Sequence, residues 1–248
     1  MPSPKDTRRI VSAGDQKTRA QMDRAARPKL AASLLLVRGE RGAEEILMGL
    51  RSKKHDFMPD IYVFPGGRVD RADSHVQAGD RLNARTSAIL TAAMPPARAR
   101  ASVMAAIRET YEETGFILGE ERKNPVHYGG EHPSWQGFYR SGLSPDLSQI
   151  HVIGRAVTPP YRPKRFDTWF FMRRLTASEA ERPIADSDEL LDTKWVKISD
   201  ISALKMHVIT ITMIDVLQDY LAAQSQGAQI PYSRFERGAF TMAPFPPV

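Results

Sequence analysis

The sequence predicts an α+β fold in which a mixed sheet is sandwiched between helices. Three observations predict it. Short apolar runs bounded by turn residues recur along the chain and read as strands. A strong alanine-rich helix spans Ala97 to Thr114, between those runs. A second helical periodicity, opening at Ile198, runs to about Ala223 after the last strand.

The strands come in order. Leu30–Val37 is a continuous apolar run of the kind that is buried on both faces. A turn from Arg38 to Ala43 leads into Glu45–Leu50, expected to pair back on the first strand. Ile61–Phe64 is a third, stopped by Pro65-Gly66-Gly67. His151–Val157 and Phe166–Met172 flank the turn Thr158–Arg165, and Thr193–Ile198 is the last. A further helix is expected over Gly79–Ala93, ending before Met94-Pro95-Pro96. The prolines open the main helix and Gly115 closes it. Asn124 to Ser144 reads as a long loop.

Residues 1–28 read as a basic, weakly structured N-terminal segment, with one helical turn or more around Gln16–Ala26; residues 29–225 read as one domain, and 226–248 as a C-terminal extension, a contact-ordered arm or frayed tail. The chain has no cysteine, which excludes disulfides, thiolate metal sites and a cysteine nucleophile. No apolar run reaches the length of a membrane span, and the N-terminus lacks the apolar core of a signal peptide, so a cytoplasmic protein is expected. The formal net charge of +6 suits an anionic partner. No basic run is interleaved with aromatics, which weakens nucleic acid as that partner; a polyphosphate metabolite fits the charge equally well.

The chemistry is concentrated in Arg108-Glu109-Thr110-Tyr111-Glu112-Glu113-Thr114-Gly115-Phe116. With Glu109 as origin on a helix, Glu112 falls at about −60° and Glu113 at about +40°. Val103, Met104, Ile107 and Tyr111 lie opposite, between about 120° and 220°. One side of the helix is packed; the other is a carboxylate cluster, expected to face solvent. Like charges at i,i+4 destabilise a helix, and a hard divalent cation with oxygen ligands relieves the repulsion. From three glutamates alone, a solvated acidic face is the commoner explanation. The glycine turn upstream changes the odds.

Gly67 followed by Arg108 to Phe116 resembles the Nudix box, G-x5-E-x7-R-E-U-x-E-E-x-G-U with U apolar, entered through Phe64-Pro65-Gly66-Gly67. Thr110 stands at an apolar position. Asp73 stands where the first-half acid belongs. From Asp73 to Arg108 is 35 residues where the pattern has eight, so an insertion of 27 residues, about 74–102, splits the box. The split, with Arg51-Ser52 leading to Phe57-Met58-Pro59 and with Thr158–Phe171, resembles an interrupted-box Nudix subgroup that includes coenzyme A diphosphatases.

The resemblance implies a Nudix-type α/β/α sandwich with a mixed sheet and a helical insertion inside the box, and an enzyme that hydrolyses the diphosphate of a nucleoside derivative using Mg2+ or Mn2+. It implies Glu109, Glu112, Glu113 and the Gly66 carbonyl as metal ligands. It also implies a catalytic set of Glu109, Glu112 and Arg108, with Glu109 as the base and Arg108 holding a glutamate. Arg51, Arg162, Lys164 and Arg165 are the candidate phosphate binders, each weighed evenly against solvated turn residues. Asp167 is expected to bond a turn backbone, and Tyr161 and Phe166 to pack in the core or to stack on adenine. The histidines show no ligand spacing, and the methionines are expected to fill cores. The insertion is expected to cover the active site or to make a subunit contact, which leaves a homodimer open. Three alternatives remain: an ADP-ribose or NADH pyrophosphatase, a non-catalytic Nudix-fold nucleotide sensor, and an interaction protein.

Overall fold

A computed structural model of the 248-residue chain describes residues 26–53, 59–78, 81–121, 128–223, 227, 229–236 and 239–246. The expectations for residues 1–25 and for Phe57-Met58 lie outside these. The strands are β1 Lys29–Arg38, β2 Glu45–Arg51, β3 Tyr62–Val63, β4 Gly66–Arg68, β5 Gly119–Glu121, β6 Leu143–Pro145, β7 His151–Val157, β8 Phe166–Arg174, β9 Leu190–Lys197, β10 Ile230–Glu236 and β11 Ala239–Phe245. The α-helices are α1 Ala84–Thr91, α2 Pro96–Thr114, α3 Pro133–Arg140, α4 Ala177–Ala180 and α5 Val208–Ala223.

Nine strands form one mixed sheet, in the order β11-β10-β7-β8-β1-β2-β3, with β4 on β1 and β9 on β2. β5 and β6 form a separate pair. β1 runs parallel to β8 over its length, as its unbroken apolar sequence requires of a strand covered on both faces. Leu34 and Leu36 enter one core with α1 and α2; Leu35 and Val37 enter the other with α5. The chain is therefore an α/β/α sandwich. On its other side β1 changes partner, from β4 at Ala31–Ser33 to β2 at Val37 and Arg38. The sheet parts there, and the parting leaves a cleft over the end of α2.

α2 carries the box. Pro95 and Pro96 start it, and Gly115 ends it in the left-handed conformation (φ 67°), its N–H bonding the Tyr111 carbonyl. Thr110, fully buried at an apolar position of the box, turns its hydroxyl onto the Ala106 carbonyl at 2.8 Å. The main chain absorbs its polarity.

Several expectations are corrected. Gly66–Arg68 is not merely a stop: it forms β4. The insertion runs into α2 from Pro96, in keeping with the helix expected from Ala97. Its own helix is the shorter α1. The stretch read as a loop to Ser144 contains α3, whose Trp135 and Phe138 are fully buried, and the start of β6. The C-terminal helix starts at Val208. Ile198–Ala203 is a 3-10 turn, after which Lys205 and Met206 bridge to Tyr62 at the edge of β3 and interrupt the helix. Of the two readings of the C-terminal segment, the frayed tail fails and the ordered arm holds: β10 and β11 are a hairpin whose β10 joins β7 in parallel.

Candidate active site

The site is built around Arg108. Its Nε and Nη2 donate to the two oxygens of Asp73, at 2.8 and 3.1 Å. Nη2 also reaches the Arg68 carbonyl at 2.9 Å, and Nη1 donates to Glu109 and Glu112, each at 2.9 Å. One planar guanidinium thereby gathers three carboxylates and the β4 main chain, a geometry that an ammonium group does not offer. Burial works against this charge, but the Asp73 bond and the Glu109 and Glu112 carboxylates outweigh it and hold the Arg108 pKa above its usual range.

Asp73 thus fills its box position as a brace. It is wholly buried, and the Trp135 indole N–H and the Asp70 N–H donate to it as well. Trp135 could not have been assigned from the sequence, since it lies on the unforeseen α3. The carboxylate face also differs from the expected solvent-facing one. Arg108 and Glu113 are buried under β4, and the Glu109 side chain is only 13% exposed against 27% for Glu112.

Both glycines of the turn are dictated by this packing. A Cβ on Gly66 would fall 2.3 Å from the Ala32 carbonyl oxygen; one on Gly67 would fall 2.5 Å from the Glu109 carboxylate. The Gly66 N–H donates to Glu113 at 2.8 Å. Burial pushes the Glu109 carboxyl up to about 7, with Arg108 pulling against it and Glu112 and Glu189 adding to it. Glu113 is driven well above the usual carboxylate range by burial and then by the Glu109 charge. Glu189, which acts on both and on Arg51, precedes β9 in an acidic stretch that no motif marks.

The donor set is all oxygen and short of positive charge, which suits a hard divalent cation in kind. It is not a ready-made cage. Among the described residues no three acidic or histidine side chains are grouped to hold a metal ion. Glu109 and Glu112 are turned toward Arg108, and Glu113 toward Gly66.

The cleft brings these carboxylates together with Arg51, Arg162, Lys164 and Arg165. Burial lowers the Arg51 pKa, opposed by Glu113 and Glu189. Arg165 is engaged with the Thr158 carbonyl at 3.1 Å and the Ala26 carbonyl at 2.6 Å, so it fastens its own turn. Arg162 and Lys164 stand exposed on that turn. The cleft also takes in Arg68 and Arg98, neither foreseen; Arg98 comes from the insertion. Asp167 does not bond a turn backbone: it pairs with Arg155 through two bonds of 2.8 and 2.7 Å. Tyr161 meets Phe235 edge-on at 5.2 Å.

No family model matches the chain. A Nudix hydrolase from Alicyclobacillus acidocaldarius superposes with a TM-score of 0.59 at 24% identity, covering 82% of this chain and 98% of that one. This is the Nudix fold. The NUDIX domain of Shewanella oneidensis NrtR, solved with ADP ribose, gives a TM-score of 0.47 at 12% identity over 83% of this chain and 99% of its own. In sequence, the chain is 33% identical to the Gallus gallus acyl-coenzyme A diphosphatase NUDT19 over 135 residues, 42% of this chain. That match spans 36% of the relative, about a third of its length. The chain thus resembles the Nudix hydrolases in fold and box, and a coenzyme A diphosphatase of that family in part of its sequence. No helix among the described residues is long and apolar enough to cross a membrane.

Proposed function

We propose that the chain is a metal-dependent Nudix diphosphatase that hydrolyses a nucleoside diphosphate derivative, with coenzyme A or acyl-coenzyme A as substrate. One observation carries the reading. Two of the box glutamates, Glu109 and Glu112, are gathered by a braced Arg108, with Glu113 held beside them by the Gly66 N–H, in a cleft whose other wall is the basic turn of Arg162 and Lys164. The partial likeness to an acyl-coenzyme A diphosphatase supports the substrate.

Glu109, Glu112, Glu113 and the Gly66 carbonyl would hold Mg2+ or Mn2+, which supplies positive charge against the diphosphate oxygens. Glu109 takes the proton of the attacking water, with Glu112 as second candidate for that role. Arg108 acts as a positioning residue, fixing where Glu109 and Glu112 sit. Arg162 and Lys164 bind substrate phosphate, and Arg51 balances the buried glutamates. Water adds to one phosphorus, the bridging P–O bond breaks, and coenzyme A yields phosphopantetheine and 3′,5′-ADP.

The test is kcat/KM for coenzyme A, dephospho-coenzyme A, ADP-ribose and NADH, each with Mg2+ and with Mn2+, products read by mass. Coenzyme A is expected to lead, with dephospho-coenzyme A poorer because it lacks the 3′-phosphate. An advantage of tenfold or more (about 1.4 kcal/mol) for ADP-ribose or NADH replaces the substrate reading. No hydrolysis of any of them removes the enzymatic one.

A further inference from the structure

The cleft has an apolar wall that diphosphate chemistry does not use. Val208 at the start of α5, with Phe240 and Met242 on β11, stand 41%, 48% and 52% exposed, and all three face the cleft that holds the carboxylates. Among the described residues the only other large apolar side chains so exposed are Leu191 and Ile211. Exposed large apolar side chains lining a charged cleft mark a binding surface.

The wall is held in place. Phe240 sits opposite Phe235 in the hairpin, with ring centroids 5.5 Å apart, and Phe235 meets Tyr161 of the basic turn. At the other end of β11, Phe245 is buried against Trp169 and Tyr232, with the Arg155 guanidinium 4.7 to 5.1 Å from the three ring centres. Through Phe235 and Tyr161, the hairpin part of the wall is packed onto the candidate phosphate-binding turn.

We propose that this wall receives the uncharged acyl tail of an acyl-coenzyme A and makes the enzyme prefer acylated substrate over free coenzyme A. The proposal rests on the function proposed above. Three features favour a ligand tail over a second copy of the chain. Side chains alternate along a strand, so Phe240 and Met242 lie on the sheet face opposite Phe245, toward α5 and the cleft rather than along the open edge. The edge itself carries Pro244, which has no N–H to offer a neighbouring strand. The surface is also continuous with the carboxylate and basic walls, which places an apolar tail in the same cleft as a diphosphate. Asp215 and Asp219 of α5 line this part too, so a tail ending in a carboxylate would meet like charge.

The experiment measures kcat/KM for coenzyme A and octanoyl-coenzyme A in the full-length wild type, in Met242→Ser and in Phe240→Ser/Met242→Ser. Thermal melts establish that each variant is folded, and the single change at the more exposed Met242 serves if the double variant does not fold. The octanoyl-to-free ratio is expected to exceed one in the wild type and to fall at least tenfold in the double variant and severalfold in Met242→Ser. An unchanged ratio in active, folded variants overturns the inference and leaves the diphosphatase standing. Variants that lower the sedimentation coefficient from dimer to monomer also overturn it, because the wall is then a subunit contact. A wild type that cleaves ADP-ribose but neither coenzyme A compound defeats the substrate reading on which the inference depends, a result distinct from both.

Discussion

At the residue scale, the box works by distributing one arginine's bonds. Glu112 is the most exposed of its three carboxylate partners, and Asp73, not Glu112, fixes the guanidinium. Glu112→Gln should therefore leave the fold intact while lowering kcat at saturating metal by at least about a hundredfold, the scale of losing a charge-stabilising group. Near-wild-type turnover by the purified variant would remove Glu112 from the site. Glu109 gives a pH signature. Its pKa is raised in the folded state, so its protonation stabilises the metal-free protein in acid, and that contribution is lost as pH rises through about 7. A cation competes for the same oxygens. Affinity for Mn2+ should rise about tenfold between pH 6 and pH 8, and Glu109→Gln should flatten the rise. A flat wild-type titration by calorimetry would show that Glu109 does not exchange its proton for metal. The grouping of the three glutamates on one helix face was legible in the sequence from helical spacing, and the glycine turn from its want of side chains; their proposed roles rest on the resemblance. Glu189 and Trp135 were not legible, because only tertiary packing brings them to the box.

At the element scale, the insertion is a strut. Asn83 caps α1 by accepting the Thr86 N–H, and its amide donates to the Ile150 and Ser148 carbonyls at 2.7 and 3.3 Å. Thr86 bonds the Ile150 carbonyl and Arg85 the Val152 carbonyl, so the helix is fastened to the start of β7. Ile89 and Leu90 complete the core beneath. Asn83→Ala loses a cap and a tertiary tie and should cost about 1–3 kcal/mol in a denaturant titration. No change in midpoint would mean that the segment is a passive loop. The existence of this helix was legible from Leu82, Ile89 and Leu90; its bounds were not, since alanine-rich sequence runs on toward Met94. α3 was hidden for the opposite reason. Its Gly, Pro and aromatic composition imitates a loop, and only burial of Trp135 and Phe138 makes a helix of it. Central strands read most clearly, because a strand covered on both faces needs an apolar residue at nearly every position. The hairpin read least clearly, because its prolines and alternating exposure look like a tail.

At the scale of the whole molecule, both faces of one sheet serve one cleft, with α2 bringing the acids and the β10–β11 hairpin closing the far wall. Among the described residues the hairpin pairs with the rest of the sheet along the short β10–β7 register at Tyr232 and Ser233, and side chains add to its hold. Arg155 is the principal one, paired with Asp167 and set among three rings. Arg155→Leu leaves Asp167 half-buried and unpaired and should destabilise by about 3 kcal/mol. Limited proteolysis should then cut the C-terminal hairpin before the rest of the chain unfolds; a variant as resistant as wild type would place the fastening elsewhere. The Asp73–Arg108 pair has a consequence for the order of synthesis. Its partners stand 35 residues apart, and the bond between them is completed by Trp135, while the helix in between is tied to Ile150 and Val152. A nascent chain that has just released its box from the ribosome holds every box residue and no box. The downstream ties that hold the brace in place become available only when the chain has lengthened by a further forty residues or so. Until then, the glutamates remain an ordinary acidic stretch, and the candidate site assembles only as the domain closes.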